Sequence, residues 1–208
     1  MQTPDHSRLK PQLKILSKRK QLAFALLMFE RMLPLLLTFS KRTGFDSSVH
    51  LRARAAAWNA LAQKEIRAKD ASWRSLSAEC LKSAPNTEKY TNEFVSYALN
   101  AALSMAAVLD FIIDGSVNHI LKIAELARDS VDMYLESSDP SLVSEPGTER
   151  LDAHPLLQRE RQHQKQDLEF LSALQEGFRD DVLRKRAGAQ PPLLPLEGKI
   201  RARSVGRK

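Results

Sequence analysis

Residues 94–113 read FVSYALNAALSMAAVLDFII, and only Asn100 and Asp110 among them are strongly polar. Ala, Leu and Met favour helix, and no proline lies anywhere in 86–139. A helix that is apolar on nearly every side must be buried on most of its faces. This stretch therefore reads as the central helix of an all-α fold. Asp114-Gly115-Ser116 breaks it, and residues 117–135 follow with Val117, Ile120, Leu121, Ala124, Ala127, Val131 and Leu135 on one stripe.

Working outward toward the N-terminus, residues 22–39 (LAFALLMFERMLPLLLTF) form a second apolar stretch. It resembles a membrane span until Glu30 and Arg31 are placed at its centre. A charge at a bilayer midplane costs about 2.5–3.5 kcal/mol even on the most lenient scale. A charged pair also stands where a signal peptide needs small residues for cleavage. The stretch reads as a core helix from about Gln12 to Arg42, kinked or split at Pro34 and stopped by Gly44. Asp46, Ser47 and Ser48 offer caps for a helix carrying Val49, Ala53, Ala57, Ala60 and Leu61. Ser72 is placed to cap a short helix through Leu81, and Thr87 to cap the element after the Pro85-Asn86-Thr87 turn.

Toward the C-terminus, residues 137–152 read as a loop. A final helix starts at Pro155 and carries Leu157, Leu168, Leu171, Leu174, Phe178 and Val182. After Gly188 the sequence PPLLPLEGKIRARSVGRK has no amphipathic period and is expected to be mobile. The expectation is an antiparallel bundle of about five to seven helices over residues 1–187, with a Pro-rich basic tail over 188–208.

Composition narrows the chemistry. Leu and Ala far outnumber Val, Ile and Thr in the 208 residues, which favours helix over sheet. The 7 glycines are too widely spaced to write a phosphate-binding glycine loop. The single Cys80 excludes an intrachain disulfide and any multi-cysteine metal site. With no leader or span, the chain reads as cytoplasmic. The net charge of +7 is uneven. Residues 184–208 hold eight Lys/Arg against Glu197, and residues 1–20 hold six against Asp5, so 21–183 carries −5. The basic character lies in the arms of a mildly acidic domain.

No motif assembles a catalytic, cofactor or metal site. Glu160-Arg161-Gln162-His163 is one Glu-x-x-His step where a di-iron bundle needs two, and His163 lies off the stripe of Leu157, Leu168 and Leu171. His6, His50, His119 and His154 have no acid or nucleophile set beside them by a motif, and neither a Gly-x-Ser-x-Gly elbow nor a His-Glu-x-x-His is present. Cys80 has Glu79 beside it, which raises a thiol pKa rather than activating it.

Glu30 and Arg31 are the most informative charges. Neighbours on a helix point roughly 100° apart, so the two cannot face one side. A buried charge needs a partner, and Arg54 or Asp110 can supply one. An interhelix salt bridge is the first reading; a pocket lined by Glu30 and Arg31 is the alternative. Asn100 and Asp110 stand open to the same two readings. In the C-terminal arm, Arg184, Lys185, Arg186, Lys199, Arg201, Arg203, Arg207 and Lys208 offer phosphate contacts without base-stacking aromatics.

Several pieces resemble, in order and spacing, the bacterial YjaG-like family, a domain of unknown function. They are Glu30-Arg31-Met32-Leu33-Pro34 with Thr43-Gly44-Phe45; Ala84-Pro85 followed by Ser96-Tyr97-Ala98-Leu99-Asn100-Ala101; the helix from His119 to Leu135; and His154-Pro155-Leu156 with Glu160, Gln164 and Leu168. The likeness spans roughly residues 8–187. It implies an all-helical fold and no known activity or cofactor. Asn100 stands where some members carry an acid, and the basic arm replaces the family's short Ser-Asn-Ile-Gly-like ending. Together these readings point to a non-enzymatic protein that binds a protein partner or itself. The alternatives are a nucleic-acid accessory protein using the basic arm and an enzyme with an interhelical site near Glu30, Arg31 and Asp110.

Overall fold

The structure, a computed structural model, describes residues 4–63, 71–139 and 149–196. Among them are nine helices: α1 (Pro4–Lys14), α2 (Lys18–Thr43), α3 (Ser48–Ala62), α4 (Ala71–Lys82), α5 (Val95–Asp114), α6 (Val117–Ser138), α7 (Glu149–Ala153), α8 (Pro155–Ala173) and α9 (Asp180–Ala189). No strand occurs among these residues.

Helix α5 is the axis, as its composition requires. It packs most extensively against α2, α6 and α4, and also touches α3. Its Ala98, Ala101, Met105, Val108 and Leu109 are fully buried. Small residues let neighbouring backbones approach closely, and α2 fills the space with Phe24, Leu27, Met28 and Phe39. Helices α2 and α5 are both long and apolar enough to cross a bilayer, and 78% and 72% of their apolar windows are buried inside the bundle.

The ends of these helices follow local chemistry. Gly44 and Gly115 adopt φ of 73° and 69°, and their N–H groups donate to Ser40 O and Phe111 O. A residue with a Cβ is strained in that conformation. Gly115-Ser116 alone joins α5 to α6, so the chain must turn back on itself. Ser17 caps α2 and Ser116 caps α6, each accepting a backbone N–H. His154 caps α8, its Nδ1 accepting from Leu156 N, with Pro155 at the first helical position.

Five sequence expectations are corrected. The first helix divides at Ile15–Ser17, not at Pro34, and α2 runs unbroken through that proline. Ser72 lies inside α4, whose first residue is Ala71, and α5 begins at Val95, beyond the reach of Thr87. The last helix ends at Ala173, and the turn before α9 places Gly177 at φ 82°. The fold continues past residue 187. Leu193 and Leu194 are 2% and 1% exposed, and Leu193 N donates to Arg31 O at 2.8 Å. Arg31 O is one residue beyond Glu30 O, the carbonyl that Pro34, having no N–H, leaves without its helical donor. Arg159 Nη2 fixes the same segment through Pro192 O and Leu193 O, at 3.2 and 2.7 Å. Of the loop expected over 137–152, residues 140–148 lie outside the described residues, as do 197–208 of the tail.

Candidate functional site

Arg31 leaves α2 toward the interior and is 2% exposed. Its Nε and Nη2 donate to the two carboxylate oxygens of Glu160 at 2.9 and 2.8 Å, a forked pair. Its Nη1 donates to Asp167 Oδ2 at 2.7 Å and to Gln190 Oε1 at 2.8 Å. Asp167 Oδ1 in turn accepts from Arg186 Nε at 2.7 Å and Gln190 Nε2 at 2.6 Å. Gln164 Nε2 donates to Glu160 Oε1 at 3.0 Å. Two cations thus face two carboxylates. Glu160, Gln164 and Asp167 recur at steps of four and three residues, which puts them on one face of α8. Burial alone pulls the Arg31 guanidinium toward its neutral form. The Glu160 and Asp167 carboxylates outweigh burial and hold its pKa above the ordinary arginine value.

Glu30 takes another direction, as the helical rotation demands. Arg54 Nε and Nη2 donate to its oxygens at 2.6 and 3.0 Å, and Trp58 Nε1 donates at 2.7 Å. Asn100 Nδ2 donates to Ser130 Oγ at 3.1 Å and Leu126 O at 3.3 Å. Asp110 accepts from Ser77 Oγ at 2.7 Å. The four polar core residues therefore sit at four different helix junctions: α2–α8, α2–α3, α5–α6 and α4–α5. Arg54 is the partner of Glu30, as the sequence allowed, whereas Asp110 pairs with neither charge. Among the described residues, no hydrogen bond links Glu30, Arg31 and Asp110 to one another.

Other candidates resolve in the same way. Glu160, half of the Glu-x-x-His step, is committed to Arg31. His163 is only partly buried; burial first, then the Arg31 charge, lowers its pKa. His119 Nε2 lies 2.9 Å from Asp114 Oδ2 beside the α5–α6 turn. Cys80 is fully buried, and its thiol is pushed up to about 11 by burial, with Glu79 adding to the effect.

Three residues of the basic arm lie on α9. Arg186 is engaged with Asp167 and lies over the Phe170 ring at 4.5 Å. Arg184 pairs with Asp180 at 2.9 Å and lies over Trp58 at 4.8 Å. Both arginines belong to α9; Arg186 joins the buried Arg31 network, while Arg184 is exposed. Lys185 is exposed, and Lys199, Arg201, Arg203, Arg207 and Lys208 lie outside the described residues.

A cleft adjoins the Arg31 network at Gln164. About 190 Å³ in volume, it opens between α1 and α8, lined by Arg8, Leu9, Gln12, Arg161, Gln164 and Lys165 among others. It is continuous with a shallower cleft of about 490 Å³ that shares Gln12, Leu168 and Glu169 and reaches Ile15 and Ala173.

The model of a family described as a protein of unknown function, DUF416, matches residues 8–190. The chain belongs to the DUF416 family. A crystal structure of a DUF416 family protein from Shewanella baltica OS155 superposes with a TM-score of 0.74 at 22% identity, covering 85% of this chain and 91% of that one. At that identity the likeness speaks for the fold alone. A comparison with curated proteins finds no match.

The DUF416 match ends at Gln190, the residue that bridges Arg31 and Asp167. Three residues of the Arg31 network are not read as such from the sequence: Asp167 and Gln190, which bond Arg31 directly, and Gln164, which bonds Glu160. A signal for two of them existed. The stripe Leu157, Leu168, Leu171 has a gap, and Glu160, Gln164 and Asp167 fill it. Polar residues inside an apolar stripe mark a buried network. Gln190 had no such signal, because it follows the last helix.

Proposed function

We propose that this DUF416 protein is a non-enzymatic binding or accessory protein. On this reading it is a YjaG-like, bacterial protein acting in the cytoplasm, a likeness that rests on the residues quoted above. One observation supports the reading above the others. The charged pair at the centre of α2 spends its hydrogen bonds within the fold: Arg31 with Glu160 and Asp167, Glu30 with Arg54 and Trp58. Catalytic groups instead sit in clefts with a proton or lone pair to offer a substrate. The test is a panel of hydrolytic, phosphoryl-transfer and redox substrates, applied to the full chain and to Asp110→Asn and Glu30→Gln. The expected result is no turnover that either substitution removes. Turnover lost in one variant while its helical circular dichroism and melting curve persist overturns the reading.

A further inference from the structure

Helices α1 and α8 both pack on α6, and the two adjoining clefts between them form one groove. Along α8 it runs from Arg161 to Ala173, roughly 18 Å at the rise of a helix. Its two ends differ in chemistry. Arg8, Arg161 and Lys165 surround one end, with Glu169 the single acid on the lining, 3.8 Å from Lys165. Arg161 is held in place by Asp152 at 3.0 Å. The floor is Leu9 and Leu168, and at the other end Ile15 stands on the rim, 81% exposed. Ile15 is the most exposed large hydrophobic residue among those described.

We infer that this groove docks an acidic amphipathic helix from a protein partner. The inference rests on the binding reading above and adds its place and the chemistry of the partner. A small molecule is a poor occupant, because tight sites bury about 70–90% of such a ligand and this groove is open along its length. A single strand of nucleic acid is a poor occupant too, because no aromatic ring lines the groove for base stacking. An amphipathic helix of about three turns matches the length. Its apolar stripe packs on Ile15 and on the little of Leu9 and Leu168 that the fold leaves open, 6% and 4% exposed, and its carboxylates meet Arg8, Arg161 and Lys165.

The experiment pans a displayed library of random peptides, about 16 residues long so as to exceed the groove, against the full chain. Enriched peptides are then titrated by fluorescence anisotropy. The expected peptides carry Leu, Ile or Phe at helical spacing, interleaved with Asp or Glu. Their Kd weakens at least about tenfold on Arg8→Glu and on Ile15→Ser, as for truncation of an interface anchor. It is unchanged on Leu81→Ser, an exposed residue of α4. Replacing with Lys only the one peptide acid that pairs with Arg8 restores binding to Arg8→Glu. All three substitutions lie on the surface, so the fold survives them. Failure to enrich any peptide, enrichment of basic peptides, or affinities indifferent to Arg8 and Ile15 each overturns the inference. So does self-association that Ile15→Ser abolishes, since a second copy would then own the groove. Peptides that bind elsewhere sink the groove and spare the binding reading, whereas turnover in the substrate panel sinks that reading itself.

Discussion

Arg31 shows how one buried charge can organise distant parts of a chain. Taking a guanidinium out of water costs several kcal/mol, and only well-placed carboxylates offset that. Here Glu160 supplies a forked pair and Asp167 a third bond, both from α8. Removing the cation leaves two buried carboxylates, of which only Asp167 keeps another cation. Arg31→Met is therefore expected to cost about 3–5 kcal/mol in urea denaturation, the range for breaking a buried pair. Adding Glu160→Gln to that variant removes one stranded charge and should recover part of the loss. A double-mutant cycle in which the two costs simply add would show that the pair is not coupled. The sequence made the need for partners legible at both Glu30 and Arg31. It made only the near partner legible: Arg54 lies one helix away, while Glu160 and Asp167 lie beyond five intervening helices.

At the scale of elements, helix ends were easier to read than helix interiors. Gly44, Gly115 and Pro155 act locally, through φ or a missing N–H, so their roles survive any tertiary context. Pro34 is different. Its effect depends on the surroundings of the carbonyl it frees, and Leu193 N reaches the next one, Arg31 O. The junction of α3 with α4 makes a pH prediction. His50 is fully buried, its Nε2 lies 3.2 Å from Cys80 O, and its Nδ1 has no hydrogen-bond partner among the described residues. Burial lowers its pKa, partly offset by the bond to Cys80 O and by Asp46. The unfolded chain, with His50 at its ordinary value of about 6.5, then binds a proton that the folded chain refuses. Stability is full above that value and falls as the pH drops below it. His163 shifts in the same direction. Stability measured in urea should fall as the pH drops below about 6.5, and His50→Gln, which keeps a donor for Cys80 O, should flatten that fall. An unaltered slope in the variant would place the linkage elsewhere.

For the molecule as a whole, the bundle was legible because α5 is apolar on every side and only a surrounding layer of helices can bury it. The end of the fold was not legible. Residues 190–196 carry no period, since they dock as an irregular segment between prolines, and pattern reading recognises only periodic burial. Yet Gln190 completes the Arg31 network, and Leu193 and Leu194 are buried in the core. A chain ending at Ala187 loses all three. Burying two leucines is worth about 3–6 kcal/mol, and the Gln190 bonds to Arg31 and Asp167 go with them. That chain should unfold at a clearly lower urea concentration than one ending at Leu196, which keeps every contact named here. Equal midpoints would mean that the fold ends at residue 187 after all. The difference also decides how the basic arm can be tested. Full chain against 1–187 compares a folded protein with a weakened one, so lost nucleic-acid binding would have two causes. Full chain against 1–196 removes Lys199, Arg201, Arg203, Arg207 and Lys208 and leaves the bundle intact. A salt-dependent affinity for duplex or single strands that disappears in 1–196 would assign phosphate contacts to those five residues. An affinity retained in 1–196 would move them to α9 or α1.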